Sequence, residues 1–257
     1  MTPDSVAAQA AAVDLLEAAW RSHTLLEGLP QGLQPTSSAA AYALQSALVD
    51  RLGGHAGWKV GAPDAQSEPG CSMLPRACVL ADGARIEAAQ FGFRGLEVEI
   101  GFEFGEDLPA DPAACTFERI IAAVAAVRPT MEIVASRYSQ WRTRRALEQL
   151  ADLGSHGVLV VGAPVPGINP ADIDSTTLEA VLNCNGTEVT RRRGANTAGD
   201  VRRLLAWLGP HAAARGRPIR AGDIVTTGSC SGLIEGAAGE RYVGAPGTLG
   251  RVSLSLV

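Results

Sequence analysis

The sequence lacks the features that mark secreted and membrane-bound proteins. Its five cysteines are odd in number, scattered, and without a CxxC pair, which argues against a disulfide framework or a zinc site. The N-terminus, MTPDSVAAQAAAVDLLEAAW, carries acids where a signal peptide has a basic region and an uninterrupted apolar core. No later apolar run reaches membrane-spanning length. We therefore expect a cytoplasmic protein without membrane contacts.

Clustered positive charge and nucleotide-binding loops are also missing. The net charge is -5 and the pI is near 5.4, whereas a nucleic-acid surface needs clustered Lys and Arg. Only Arg191–Arg193 form such a cluster, and a solvated turn or a subunit contact is the favoured interpretation over a catalytic role. The Gly-rich loops contain no GxGxxG or Walker pattern. We expect no nucleic-acid partner and no nucleotide site.

What is present is a helical beginning followed by a sheet-rich body. Residues 4–22 and 36–52 read as alanine-rich helices, with Asp4 and Thr36 available as N-caps and Gly53 and Gly54 as a stop. Two later helices are predicted, one from Thr116 and one ending at Gly216. Short apolar segments bounded by Gly and Pro predict strands at 96–104, 128–135, 157–162, 179–183 and 248–257. This order predicts an α+β fold, with a helical portion at 1–56 and a body at 57–257.

The segment RGLEVEIGFEFGEDLP has three glutamates at alternate positions of an apolar stretch. With the two-residue period of a strand, Leu96 and Val98 point to one side and Glu97, Glu99 and Glu103 to the other. Alternation of this kind is what any one-sided sheet produces. From this segment alone, the favoured interpretation is a strand whose polar face lies in water.

Glu132, in RPTMEIVASR, adds a second observation. Its apolar neighbours leave little room for a solvent-facing side, and burying a carboxylate is costly without a cation or hydrogen bonds. If Glu132 lies beside Glu97 and Glu99, a hard divalent cation is the simplest neutraliser, and oxygen ligands favour Mg²⁺ or Mn²⁺. Separate surface or ion-paired glutamates are the alternative.

Lys59, in GWKVGA, lies in a short apolar strand between glycines. A desolvated lysine there has a lowered pKa and can exchange protons near neutrality. A lysine that extends its ammonium into solvent is the simpler interpretation when no other context is considered.

Two further segments carry hydroxyl groups. ADLGSHG places Asp152, Ser155 and His156 too close in sequence for a convincing nucleophilic triad. We interpret Ser155 as a substrate hydrogen-bonding group and His156 as a structural or surface residue. In GDIVTTGSCSGL, Thr227 and Ser229 lie at a strand end where hydroxyls and free N–H groups can hold a carboxylate, although a plain turn explains them equally well.

The motifs GWKVGA, LEVEIGFEFGEDLP, RPTMEIVASRYSQW, ADLGSHGVLVVG, LLAWL and AGDIVTTGSCSGL…LGRVSLSL, taken in order, identify a resemblance. The chain resembles the 2-oxo-4-pentenoate hydratase and 4-oxalocrotonate decarboxylase group of the fumarylacetoacetate hydrolase superfamily, from about residue 57 to the C-terminus. The resemblance implies a mixed β-roll or barrel body, Mg²⁺ or Mn²⁺ bound by Glu97, Glu99 and Glu132, and Lys59 in the active site. Glu103 lies outside the resemblance and is expected to be solvated.

The implied activity is a metal-dependent lyase that adds water to a 2-hydroxy-2,4-dienoate or its 2-oxo tautomer, with Lys59 transferring a proton. Decarboxylation of a 2-oxo-enedioate is the runner-up, for which Arg137, Arg142 and Arg191–Arg193 are possible partners of a second carboxylate. A carbon–carbon bond hydrolase and a non-catalytic partner subunit are further alternatives. Members of this group are commonly homo-oligomers. The chain departs from the group at Leu153, which replaces an amide, and at Pro63, which replaces Thr or Ser; both changes affect the expected substrate pocket more than the metal site.

Overall fold

The computed structural model describes residues 5–257, and two alanine-rich helices open this range. Helix α1 spans Val6–Ser22 and α2 spans Ser38–Arg51. The Ser5 and Ser37 hydroxyls accept the N-terminal N–H groups of these helices at 3.3 and 3.1 Å. The predicted cap at Thr36 is therefore wrong by one residue, and the one predicted at Asp4 lies outside the described residues. The stop after α2 is confirmed, since Gly53 and Gly54 have φ of +93° and +85°.

The rest of the described chain contains three α-helices and thirteen strands, with short 3-10 turns between them. The helices are α3 (Phe117–Ala122), α4 (Ala146–Ala151) and α5 (Arg202–Ala214). The strands are β1 (His55–Gly61), β2 (Gly70–Pro75), β3 (Val79–Ala81), β4 (Ala84–Ile86), β5 (Gly95–Phe104), β6 (Val124–Val134), β7 (His156–Val161), β8 (Glu179–Cys184), β9 (Thr187–Arg193), β10 (Ile224–Ser229), β11 (Ile234–Glu235), β12 (Arg241–Pro246) and β13 (Val252–Leu256). None of the described helices is both long and apolar enough to cross a bilayer.

The strands form two mixed sheets, which confirms the predicted α+β class. One sheet has the order β2-β1-β10-β5-β6-β7-β3, with β11 also paired to β5, and the other has the order β4-β13-β12-β8-β9. Parallel pairs, such as β1 with β10, occur among antiparallel ones.

The helix predicted from Thr116 is shorter than expected. Thr116 caps α3, but the valines from Val124 onward belong to β6, where β-branched side chains pack well.

Two large apolar cores and a small third cluster hold these layers together. Leu96 and Val98 of β5 pack with Leu254 and other residues of the five-stranded sheet. Further along the same face of β5, Phe102 joins a core with Leu16 and with other residues of the N-terminal helices. The helical beginning therefore shares a core with the body, and the predicted boundary after residue 56 falls inside β1.

The larger sheet is strongly curled. Lys59 on β1 and Glu132 on β6 are separated by strands β10 and β5, which in a flat sheet places their backbones roughly 14 Å apart. The Lys59 Nζ nevertheless lies 2.6 Å from Glu132 Oε1. The sheet face that carries these side chains is therefore concave, as a roll or barrel requires.

Candidate functional site

Three carboxylates meet on the concave face. In the antiparallel β5–β6 ladder Glu97 lies directly opposite Glu132, and Glu99 lies opposite Thr130. One ligand oxygen from each glutamate lies within 4.8 Å of the others. Glu132 and Glu99 are 0% and 1% exposed, and Glu97 is partly buried. The interpretation of β5 as a strand with one face in water is therefore wrong. Glu103, on the same face, is partly exposed to solvent, and its carboxylate forms an ion pair with Arg128 at 2.7 Å.

The cluster does not accommodate three negative charges by itself. Burial, with the Glu132 carboxylate adding to it, raises the pKa of Glu97 to about 7. Burial and the neighbouring glutamates raise the pKa of Glu99 well above its ordinary value. Burial also acts to raise the pKa of Glu132, but Lys59 and His156 outweigh it and lower that pKa to about 2. A divalent cation is the ordinary means of keeping such a group of carboxylates ionised.

The hydrogen bonds of Glu132 are all on one of its oxygens. Lys59 Nζ lies 2.6 Å and His156 Nδ1 2.8 Å from Oε1. Within residues 5–257, Oε2 is buried and has no hydrogen-bond partner. A buried carboxylate oxygen without a donor needs compensation, and Glu132, which carries it, is one of three residues that could hold a metal. The residues present therefore fit a divalent cation.

Lys59 is the only lysine in the chain. Its ammonium donates to Glu132 Oε1 and, at 3.1 Å, to the carbonyl oxygen of Gly154. It therefore points inward, which contradicts the solvent-extended interpretation. Burial alone would lower the pKa of Lys59, but the Glu132 charge outweighs it and the pKa is raised. The expectation of a lowered pKa for Lys59 is therefore wrong.

The turn before β7 brings its polar groups to the same face through an uncommon backbone. Leu153, Gly154 and Ser155 have φ of +52°, +58° and +58° in succession. These values lie in the left-handed region, which residues other than glycine rarely adopt. The Gly154 carbonyl meets Lys59, and the ring of His156 meets Glu132. The Ser155 hydroxyl is buried and has no partner in the described part of the chain. Strain held by surrounding structure clusters at functional sites.

A buried ion pair fixes this turn. Arg137 Nε donates to Asp152 Oδ1 at 2.5 Å, and Arg137 Nη1 donates to the His156 carbonyl at 2.7 Å. Ser136 Oγ donates to the other Asp152 oxygen at 2.7 Å. Asp152 is thus engaged by Arg137 and His156 by Glu132, which rules out a triad with Ser155. The same contacts make Arg137 a structural cation and not a partner for substrate.

Residues of β10 hold Glu99. Thr226 Oγ1 hydrogen bonds to Glu99 Oε2 and lies 3.0 Å from Thr130 Oγ1. The Gly228 N–H donates to the same Glu99 oxygen at 2.9 Å. The sequence indicates a strand end that can hold a carboxylate here, and the carboxylate that it contacts is the protein's own Glu99.

The predicted substrate-binding hydroxyls have protein partners of their own. Thr227 is fully buried and its Oγ1 donates to the Ile100 carbonyl at 2.9 Å. Ser229 Oγ donates to the Gly232 carbonyl at 3.1 Å. Their substrate-binding role, like that of Ser155, stays a prediction.

Several contacts to the cluster were not predicted. Thr226 and Thr130 were not singled out, although Thr226 is adjacent to the predicted Thr227. His156 was assigned a structural or surface role, and nothing in its local sequence indicates contact with a residue on another strand. The predicted arginine cluster is elsewhere: Arg191, on β9, pairs with Glu179 and Glu188 and lines a cavity of about 720 Å³ that contains no residue of the carboxylate cluster.

The described cysteines do not form an alternative metal centre. All five are free, and four of them are buried. Burial raises the pKa of Cys230 to about 12, so this thiol is neither a good nucleophile nor a good metal ligand.

Comparisons with known proteins support the resemblance seen in the sequence. The profile of the fumarylacetoacetate (FAA) hydrolase C-terminal family matches residues 41–253. The 2-keto-4-pentenoate hydratase 2 of Dechloromonas aromatica strain RCB is 29% identical over 264 residues, covering 98% of each chain. The TodF product hydratase of Pseudomonas putida F1 is 29% identical over 242 residues, covering 90% of this chain and 88% of the relative.

A solved structure matches almost the whole chain. It is the 4-oxalocrotonate decarboxylase from Pseudomonas putida G7, complexed with magnesium and adipate. The TM-score is 0.83 and the identity 24%, with 96% of each chain covered. At this identity the likeness establishes the fold.

Proposed function

The chain belongs to the fumarylacetoacetate hydrolase family, and from this we propose that it is a divalent-metal-dependent hydratase acting on a 2-hydroxy-2,4-dienoate or its 2-oxo tautomer. The observation that carries the proposal is the convergence of Glu97, Glu99, Glu132 and the only lysine, Lys59, on one concave face. The substrate class is supported by the hydratase names of relatives that align along 90% and 98% of this chain.

Glu97, Glu99 and Glu132 are proposed to hold Mg²⁺ or Mn²⁺, since these ions prefer oxygen ligands. When bound, the cation supplies Lewis-acid stabilisation of the negative charge that develops on the 2-oxygen of the substrate. Thr226 and the Gly228 N–H orient Glu99, and Lys59 contacts Glu132. Outer hydrogen bonds of this kind determine how a ligand carboxylate meets its metal.

Lys59 is proposed to move the proton. Its Nζ lies at the edge of the carboxylate cluster and its side chain is 20% exposed, so it can reach both a bound substrate and the solvent. It transfers a proton to or from the carbon chain, and water then adds across the double bond conjugated with the 2-oxo group. The hydroxyl group goes to one carbon of that bond and the proton to the other.

Ser155, Thr227 and Ser229 are proposed to help hold the substrate. Ser155 has the strongest support, because its buried hydroxyl has no partner in the described chain and the adjacent residue contacts the metal ligand Glu132. Thr227 and Ser229 lie on either side of Gly228, whose N–H already contacts Glu99. The Thr227 hydroxyl already donates to the Ile100 carbonyl and the Ser229 hydroxyl to the Gly232 carbonyl, so these two residues have less support than Ser155.

Decarboxylation is the second candidate, because the decarboxylase from strain G7 has the same fold. A decarboxylase of this type acts on a substrate with a second carboxylate, for which a cation is the natural partner. Arg137 is committed to Asp152 and Arg191 to Glu179 and Glu188. In residues 5–257 Lys59 is the only Lys or Arg that hydrogen bonds to any of the three glutamates, through its contact with Glu132, which favours the hydratase.

We also propose that the enzyme is cytoplasmic and homo-oligomeric. The five cysteines, all of them free, favour a reducing compartment such as the cytoplasm. The edge strands β2 and β9 need cover or charge to avoid uncontrolled pairing, and a second copy of the chain can supply such cover. Light scattering coupled to size exclusion tests the assembly, and a monomer at micromolar concentration would contradict it.

The activity is tested with purified protein, Mg²⁺ or Mn²⁺, and a matched pair of substrates. A 2-hydroxy-2,4-dienoate with one carboxylate and a 2-oxo-enedioate with two are each followed by ultraviolet loss and carbon dioxide release. Metal-dependent loss of the dienoate without carbon dioxide supports the hydratase. Carbon dioxide from the enedioate supports the decarboxylase, and inactivity with both contradicts the proposed lyase and revives the partner-subunit interpretation.

A further inference from the structure

His156 contacts the carboxylate cluster although the mechanism above gives it no chemical step. It opens β7, its ring is fully buried, and its Nδ1 lies 2.8 Å from Glu132 Oε1. Its other nitrogen, Nε2, is buried and has no hydrogen-bond partner in the described range. A buried histidine that hydrogen bonds through one ring nitrogen and leaves the other without a partner needs an explanation.

The ion pair of Glu132 fixes the direction of this hydrogen bond. Glu132 faces the ammonium of Lys59 at 2.6 Å, so it is a carboxylate and can only accept. His156 must therefore donate from Nδ1. A neutral imidazole carries a single N–H, which leaves Nε2 as a bare acceptor, and its lack of a partner is then the cost of placing the proton on Nδ1.

Both donors to Glu132 fall on the same oxygen. Lys59 and His156 each contact Oε1, whereas Oε2 receives no donor from residues 5–257. Two donors on one oxygen fix the plane and the rotation of the carboxylate and leave the other oxygen available. We propose that His156 is a positioning residue that turns Oε2 of Glu132 toward the divalent cation. This inference rests on the metal site of the proposed function.

Lys59 alone would hold the carboxylate less firmly. Its ammonium sits at the end of a flexible four-carbon stem, is shared with the Gly154 carbonyl, and belongs to a side chain that is 20% exposed. The imidazole of His156 is a rigid ring with no exposed surface. Of the two donors, His156 is therefore the one that fixes the geometry.

The backbone around His156 is built to aim the ring. The His156 carbonyl accepts from Arg137 Nη1 at 2.7 Å, and Arg137 is itself paired with Asp152. The preceding residues, Gly154 and Ser155, both have φ of +58°. Backbone strain of this kind persists where surrounding contacts hold it in place. Here it is explained if the ring of His156 must contact Glu132 at a fixed angle.

The test compares two substitutions that differ in one donor. In His156→Asn the side-chain amide can place an N–H where Nδ1 was, whereas His156→Leu has similar bulk and no donor. Mn²⁺ is titrated into the metal-free proteins and the dissociation constant is measured by electron paramagnetic resonance of free Mn²⁺. We expect His156→Leu to weaken binding by about 10–100-fold, the range for loss of an outer hydrogen bond to a ligand, and His156→Asn to stay within a few-fold of the original.

His211 provides the matched control. Its Nε2 is also buried without a partner in the described chain, but its ring stacks on Trp207, and no contact joins it to the cluster within residues 5–257. His211→Leu is expected to change the melting temperature and spare Mn²⁺ affinity. The proposal is overturned if His156→Leu binds Mn²⁺ as tightly as the original protein does. It is also overturned if His156→Asn binds Mn²⁺ as weakly as His156→Leu does.

A spectroscopic measurement covers the case in which His156→Leu does not fold. The ¹⁵N chemical shifts of the imidazoles are recorded for the unsubstituted protein at a pH above the ordinary histidine pKa, with His156 assigned from its loss in His156→Asn. Protonated Nδ1 and bare Nε2 are expected, and a bare Nδ1 overturns the inference. If the unsubstituted chain binds no Mn²⁺, the proposed function fails instead, and the imidazole spectrum separates that outcome from a misassigned hydrogen bond.

Discussion

Glu97 and Glu132 lie directly opposite each other in the β5–β6 ladder. Like charges in this position destabilise a sheet, and both side chains lie on the concave face with Glu99. The arrangement has a physical reason if the three carboxylates bind a cation together. Relief of this repulsion is then one source of metal affinity, and the metal-free protein carries its cost.

The first prediction uses Glu97→Gln to separate metal binding from folding. No hydrogen bond within residues 5–257 uses the Glu97 carboxylate, whereas Glu132 holds Lys59 and His156. Glu97→Gln should weaken Mg²⁺ or Mn²⁺ binding by at least about tenfold and leave the metal-free melting temperature equal or higher. In Glu132→Gln, by contrast, both the metal affinity and the melting temperature should fall. Calorimetric titration and thermal unfolding check this, and unchanged metal affinity in Glu97→Gln would falsify the assignment.

The second prediction concerns Lys59 as the proton carrier. Lys59→Met should lower turnover by about two to four orders of magnitude, the usual effect of losing a positioned acid or base. It should also lower the melting temperature, because Glu132 loses its ion-pair partner. Lys59→Arg is the control: it restores a cation beside Glu132 but cannot release its proton, so stability should recover and turnover should stay low. Near-normal turnover in either variant would remove Lys59 from the mechanism.

The sequence showed the chemistry of this site better than its assembly. The alternation in β5 is local and indicated the Glu97 and Glu99 face directly. The pairing of Glu97 with Glu132 depends on strand register, which joins residues far apart in the chain. The contact of Lys59 with Glu132 depends in addition on the curl of the sheet across two strands, and no local pattern of residues contains that information.

Adjacent threonines explain one incomplete prediction. In a strand, only one of Thr226 and Thr227 can face the cluster. The preceding Ile224 and Val225 are both apolar and both buried, so no alternation of polar and apolar residues indicates which threonine it is. The cap of α2 shifted for a similar reason, because Thr36 and Ser37 are adjacent and both have cap chemistry.

The third prediction tests these two threonines as a matched pair. Thr226→Val removes the hydroxyl that contacts Glu99 and Thr130, whereas Thr227→Val removes one that donates to the Ile100 carbonyl. Each should cost about 1–3 kcal/mol of unfolding free energy, since a buried partner is left unsatisfied. Only Thr226→Val should weaken Mn²⁺ binding. Equal metal affinities in the two variants would contradict the role of Thr226, and a raised KM in Thr227→Val alone would support its predicted contact with substrate.

The fourth prediction concerns pH and a histidine outside the site. Burial, with Arg215 adding to it, lowers the pKa of His211. In the unfolded chain this histidine takes up a proton near its ordinary pKa of about 6.5, whereas the folded chain does so only at lower pH. Stability from this group is therefore present above that pKa and is lost as the pH falls below it. Urea unfolding across this range should show His211→Gln gaining relative to the original protein on acidification, and parallel pH curves would exclude the effect.

The last prediction separates the hydroxyl of Ser155 from its backbone. Ser155 has φ of +58°, and its buried hydroxyl has no partner in residues 5–257. Ser155→Ala and Ser155→Gly both remove the hydroxyl, but only glycine adopts this conformation without a steric cost. Glycine should therefore be the more stable of the two by about 1 kcal/mol. If the hydroxyl binds substrate, KM should rise to a similar extent in both variants while Mn²⁺ affinity stays unchanged. If KM is normal in Ser155→Gly and raised in Ser155→Ala, the turn matters only through its backbone conformation. A normal KM in both variants would remove Ser155 from the substrate site.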